Sequence, residues 1–221
     1  MIDDSELKIS SARITANAIS LGLGDAVTQA HREQVDIEAA LKKDKTKTKA
    51  SKDLFAANTA SKRLKQIWTK ATKKQDAIRN QLQQFEKRID SKLSIGGTTD
   101  LVILNSYANI LEGMTTSQVS SLIRAGDIDA GRAVLLVPAL RLTEKFRNAQ
   151  DVIKSEVVAA VLGDDNKAFE DLKEQYRSAE KLEVALLETS SEYDKKAKAI
   201  EKTIVSAEAA NIDTDEVPEV G

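Results

Sequence analysis

Apolar side chains recur at alternating steps of four and three along much of this chain. Leu172, Tyr176, Ala179, Leu186, Tyr193, Ala197, Ile200, Ile204 and Ala207 follow the rule, with Glu183 and Ser190 as the interruptions. Upstream, Leu135, Ala139, Leu142, Phe146, Ala149, Ile153 and Ala160 continue it, and so do Leu64, Ile67, Ala71, Ile78, Leu82, Phe85 and Ile89. At 3.6 residues per turn such spacing draws an apolar stripe along one side of a helix, and that stripe has to be covered by other helices. The pattern therefore predicts an all-α fold of long helical hairpins, a coiled-coil-like elongated bundle.

Glycines and cap residues divide the pattern. Gly22 and Gly24, Gly96 and Gly97, Gly113, Gly126 and Gly163 stand before Asp25, Thr98, Thr115, Asp127 and Asp164. Glycine ends a helix by accepting the left-handed conformation, and Ser, Thr or Asp opens the next by accepting from exposed amides. Thr115 to Gln118 has the form of a capping box, as does Asp3 to Glu6 with Asp at the cap. Helices are expected at 5–21, 25–94, 99–112, 116–125, 127–162 and 164–209. The organisation is then a short N-terminal helix in 1–24, a long basic helix in 25–95, short connector helices in 96–126, an antiparallel helical hairpin in 127–210 and an acidic tail in 211–221. Lys42 to Lys52 lacks any large apolar residue and is the place for a hinge. Pro138 either kinks the apolar helix around it or opens a new one.

Composition agrees with helices. Aromatic residues make up 4% and charged residues 31% of the chain, and the apolar 41% is mostly Ala, Leu, Ile and Val. That apolar fraction, regularly spaced, is too high for disorder. The absence of cysteine rules out disulfides and thiolate metal sites, and His31 alone builds no zinc site. Acidic pairs at Asp127/Asp129, Asp164/Asp165 and Asp213/Asp215 lack the further oxygen ligands of a calcium loop, so no metal or cofactor is expected. No phosphate-binding glycine loop, nucleophile elbow or zincin motif occurs, and the protein reads as a non-enzyme. The acidic start Met1 to Glu6 differs from a signal peptide, which implies synthesis in a cytoplasm.

Charge is segregated. Residues 27–95 hold 17 Lys and Arg against 8 acids, while residues 96–221 hold 14 against 23. Between Lys42 and Lys74 lie Lys42, Lys43, Lys45, Lys47, Lys49, Lys52, Lys62, Arg63, Lys65, Lys70, Lys73 and Lys74, with Asp44 and Asp53 as the acids. These cations are candidates for polyanion contact, and Trp68 among them could stack on a base. The plainer reading is a solvated helix face that complements the acidic C-terminal half. Lysine outnumbers arginine, which suits non-specific contact over base readout. The apolar runs 133–140 and 157–162 are short for a spanning helix, which needs about 20 residues. They read as bundle core before they read as a membrane-active hairpin.

The organisation as a whole resembles helical virion proteins of tailed bacteriophages, without a diagnostic motif. That resemblance implies an internal (ejection), scaffolding or connector role and a place in the virion. The function expected is a non-catalytic structural or assembly protein, a homo-oligomer packed among other subunits. Its assembly seam would be Leu64, Ile67, Ala71, Ile78, Leu82, Phe85, Ile89, Leu142, Phe146, Ile153, Leu172, Tyr176, Ala179, Leu186, Tyr193, Ile200 and Ile204. The alternatives are a non-specific nucleic-acid-binding protein using Lys42–Lys74, and a membrane-active pore-forming or injection protein.

Overall fold

The structure, a computed structural model, describes Ile9, residues 11–141 and residues 143–209. Leu142, the Asp3–Glu6 box and the tail 211–221 lie outside the described residues. The fold is all-α: α1 (Ala12–Ser20), α2 (Gly24–Lys43), α3 (Lys49–Leu93), α4 (Thr98–Leu111), α5 (Thr116–Arg124), α6 (Ile128–Leu136), α7 (Pro138–Arg141), α8 (Glu144–Arg147), α9 (Gln150–Leu162) and, after a 3-10 turn at Gly163–Asp165, α10 (Asn166–Ala209). Helices α3 and α10 have 45 and 44 residues, so each runs about 66 Å at 1.5 Å per residue.

The 25–94 segment is two helices, and the break falls inside Lys42–Lys52. Asp44 accepts hydrogen bonds from the backbone N–H of Thr46 (2.8 Å) and from its hydroxyl (2.6 Å). This is the local bonding by which Asp diverts a chain from the helix. Thr48 Oγ1 then accepts from Ser51 N at 3.2 Å and opens α3. The 127–162 segment is likewise four helices. Pro138 supplies no N–H and pushes Val137 into the extended region (φ −83°, ψ 115°), so α6 ends at Leu136 and Pro138 becomes the first residue of α7.

The chain forms two compact units, Met1–Arg79 with Glu174–Gly221, and Asn80–Lys173. In the first, α2 turns back on α3: Glu33 pairs with Arg63, and Gln34 Nε2 donates to Ala56 O (3.3 Å). Helix α3 runs antiparallel to α10, with Lys65 Nζ donating to Asp194 Oδ2 (2.7 Å), Thr72 Oγ1 to Glu183 Oε1 (2.5 Å) and Arg79 Nη2 to Tyr176 Oη (3.1 Å). Helix α1 also opposes α10, through Arg13–Glu188 at 2.7 Å and Ser20–Ser178 at 3.2 Å. In this unit α10 therefore packs against α3 and α1. The core is narrow and small-residued. Ala57, Ala60, Leu64, Ile67, Ala71 and Ile78 from α3 are buried, as are Ala179, Leu182, Ala185, Leu186 and Ala197 from α10. Gln34, Ser61, Gln75, Ser178, Thr189 and Ser190 are buried among them.

In the second unit, α6 packs against α4, α5 and α9. Its core gathers Leu104, Leu111, Val119, Ile123, Val134, Leu140, Phe146, Ile153 and Val157. A smaller cluster joins Ile89, Leu162 and Phe169, where the Phe85 and Phe169 rings meet at 5.7 Å and 57°. The residues expected to be a connector, 96–126, thus supply a large part of this core. Gly131 is buried in α6, and a Cβ built on it would lie 2.1 Å from Val157 Cγ2, which records how closely α6 and α9 approach.

Of the cap residues read from the sequence, two act as expected. Thr115 and Gln118 form a capping box, and Asp127 Oδ1 accepts from Ala130 N at 3.1 Å. Asp25, Thr98 and Asp164 do not cap. Asp25 and Thr98 sit inside the first turns, after Leu23 and Gly97 as cap residues, and Asp164 is within the 3-10 turn.

Candidate interaction surfaces

Leu142 aside, the expected seam residues are buried or half-buried within the chain. Leu64, Ile67, Ala71, Ile78, Ile89, Phe146, Ile153, Ala179 and Leu186 are buried. Leu82, Phe85, Leu172, Tyr176, Tyr193, Ile200 and Ile204 are half-buried. Ala139, which continued the same spacing, is exposed because α7 is a separate helix. The apolar runs 133–140 and 157–162 also turn inward: Ala133, Val134, Val137, Leu140, Val157 and Leu162 are buried. No helix among the described residues is long and apolar enough to cross a membrane.

The twelve cations divide by what they touch. Arg63 is tied to Glu33, Lys65 to Asp194, and Lys47 lies 3.8 Å from Asp44 and over the Phe55 ring. Lys49 also has a partner. The Lys65 ammonium and the Ser61 hydroxyl hold the Asp194 carboxyl below its ordinary value, and the bonds from Thr46 do the same for Asp44. Lys42 and Lys43 close the last turn of α2, where the helix dipole favours a cation. Lys45 is exposed in the turn after α2, and Lys52 is half-buried in the first turn of α3. Lys62, Lys70, Lys73 and Lys74 are exposed on α3 and make no ion pair among the described residues. Trp68 is half-buried, with its indole Nε1 shut off from solvent. His31 is half-buried on α2.

The second unit carries a buried ionic tie that spacing alone did not reveal. Arg132 is 8% exposed, and its guanidinium donates to Asp100 Oδ1 (3.0 Å) and Oδ2 (2.5 Å), Asp129 Oδ1 (2.7 Å) and Ser94 O (2.7 Å). Gly96 N donates to Asp100 as well, at 2.8 Å. One side chain thereby ties α6 to the start of α4 and the end of α3. Hydrogen bonding to Arg132, then to Gly96, lowers the Asp100 carboxyl pKa. Tyr107 donates to the other oxygen of the capping Asp127 (3.1 Å), and burial followed by that bond raises its phenol pKa. No group of three or more metal-ligating side chains occurs among the described residues.

Two of the outward-facing groups among the described residues lie on α4 and α3. On α4, Leu104, Ala108 and Leu111 point into the core, while Val102, Ile103 and Ile110 form an apolar stripe on another face, Val102 60% and Ile110 59% exposed. Residues 101–111 contain no charged side chain. The lysines of α3 make the other. No protein-family profile, curated protein or solved structure matches this chain. What the fold defines is a class, an all-α protein built on long helices.

Proposed function

We propose that this chain is a non-catalytic helical subunit that works by packing against other subunits, beginning with a second copy of itself. The tailed-phage virion is the kind of assembly its organisation resembles. The observation that carries the proposal is the outer stripe of α4. Three aliphatic side chains, Val102, Ile103 and Ile110, stand uncovered on a helix whose other face is fully packed. Grouped aliphatics left in water forgo about 25 cal/mol per Å² of burial, and uncovered patches of this kind mark interaction sites.

The occupant proposed is the same stripe of another copy. Two identical surfaces meeting about a two-fold axis repel when they carry net charge, and this stripe carries none. Asp100 at its edge is already engaged by Arg132.

Sedimentation equilibrium tests the proposal. The parent chain should self-associate, and Val102→Glu with Ile110→Glu should yield a monomer of unchanged helix content. A parent that stays monomeric at every accessible concentration, or a double variant that associates as the parent does, would overturn the reading.

A further inference from the structure

A surface of opposite character lies on α3. At about 100° per residue, Lys62, Lys70 and Lys73 fall within roughly 80° of one another around the helix, with Gln66 and Thr69 between them. The buried Leu64, Ile67 and Ala71 occupy the other side. Lys62 to Lys73 spans about 16 Å along the axis. From residue 54 to residue 75 the sequence holds no Asp or Glu. On α3 itself the nearest acid is Asp76, one turn beyond Lys73 and 3.3 Å from Arg79; the acids from neighbouring helices are engaged too, Asp194 by Lys65 and Ser61, Glu183 by Thr72, Glu33 by Arg63. A shallow groove beside Lys62 is lined by Asn58, Gln66 and Thr69, with Asp194 at its far wall.

We infer that this outer face of α3, Lys62, Lys70 and Lys73 with Gln66, binds the phosphate backbone of a nucleic acid without reading its sequence. Three exposed ammonium groups unneutralised by any ion pair among the described residues are the donors that release counterions from phosphates. The amide of Gln66 is a further donor of the type that contacts phosphate oxygens, whereas the Thr69 hydroxyl already donates to Lys65 O at 3.0 Å. Duplex DNA carries a charge about every 1.7 Å of axis, so a face of this length meets several phosphates at once. An acidic protein is the poorer match. Protein interfaces centre on apolar anchors, and between Lys62 and Lys73 this face has none. Lysine in place of arginine suits contact with phosphate as a point charge over bidentate readout of a base edge.

The test uses the full chain and a labelled random-sequence DNA duplex, followed by fluorescence anisotropy across a salt series. Three phosphate contacts contribute about 2.7 to the slope of log affinity against log salt. The triple variant Lys62→Gln, Lys70→Gln, Lys73→Gln should lower the slope by about that much and weaken binding at least about tenfold near 0.1 M salt. A control triple, Lys92→Gln, Lys154→Gln, Lys167→Gln, removes the same charge from exposed lysines of the second unit and should change affinity less than about twofold. Replacing Lys62, Lys70 and Lys73 with Arg should preserve binding. Equal losses in the two Gln triples, a salt slope near zero in the parent, or polyglutamate binding as tightly as DNA would each overturn the inference.

Discussion

Gly131 offers the sharpest probe of the second unit, because two effects of known sign oppose each other there. Glycine in a helix interior costs about 1 kcal/mol relative to alanine, so helix propensity alone makes Gly131→Ala stabilising. The packing opposes this. An alanine Cβ would sit 2.1 Å from Val157 Cγ2 and 3.1 Å from Ile123 Cδ1, and all three residues are buried. Forcing an extra methyl into a filled core costs roughly 1–3 kcal/mol, and an overlap this deep, between two helices that must part, belongs at the upper end. The net expectation is a loss of about 2 kcal/mol, or about 4–8 °C in Tm for a chain of this size.

Thermal and guanidinium melts of Gly131→Ala measure the loss, and a double-mutant cycle with Val157→Ala locates its cause. Val157→Ala by itself removes two buried methyls and should cost about 2 kcal/mol. In the Gly131→Ala background the same truncation opens the space the new methyl needs. The double variant should therefore be at least about 1 kcal/mol more stable than the sum of the singles. A stabilised Gly131→Ala, or additivity within about 0.5 kcal/mol, would refute the close approach of α6 and α9.

The remaining expectations concern the ties within each unit. Arg132→Met leaves Ser94 O without its donor and Asp100 with the Gly96 N–H alone, and should cost about 2–3 kcal/mol by chemical denaturation; a neutral result would mean that the tie contributes nothing. Asp100 titrates lower in the folded chain, so its contribution is present above the unfolded carboxylate pKa near 3.8 and is lost as pH falls through the lower folded value. Acid titration of stability should accordingly be flatter in Asp100→Asn than in the parent, and superimposable curves would contradict the assignment. Thr115→Ala removes a capping box and should lower stability by about 1 kcal/mol in the same melts. Ala71→Asp and Leu186→Asp each place a carboxylate at a fully buried position, and circular dichroism should show the first unit unfolding rather than a folded chain that fails to assemble.

Helix type and the main breaks were legible because they are local physics. The stripe from Leu64 to Ile78 is written in its own spacing, and residues 42–52 reveal the break through their want of any large apolar residue. What covers a stripe is not a local property. The spacing of Leu186 or Ala71 is the same whether the covering helix belongs to this chain or another, so the pairing of α3 with α10 inside one unit could not be read from it. Helix α4 hid its role for a different reason. The run Leu101 to Leu104 is apolar on every side, so the period blurs and the inward face of Leu104, Ala108 and Leu111 does not stand out. Arg132 and Asp100 are 32 positions apart, and only the fold makes them partners.

This shift changes which surface bears on assembly. A stripe already buried within the chain has spent its driving force on folding, and a second copy could reach it only by displacing a native helix. Such an exchange would cost the burial it hoped to gain. An uncovered stripe has no such competitor: whatever covers Val102, Ile103 and Ile110 gains their burial outright, less the freedom lost on association. The same reasoning applies to charge. Lys65 and Arg63 would have to break existing pairs to meet a phosphate, whereas Lys62, Lys70 and Lys73 have no ion pair among the described residues to give up. Intramolecular partners thus sort both the apolar and the basic positions. The residues left over after folding, and not the most regular ones in the sequence, are where this chain is equipped to meet another molecule.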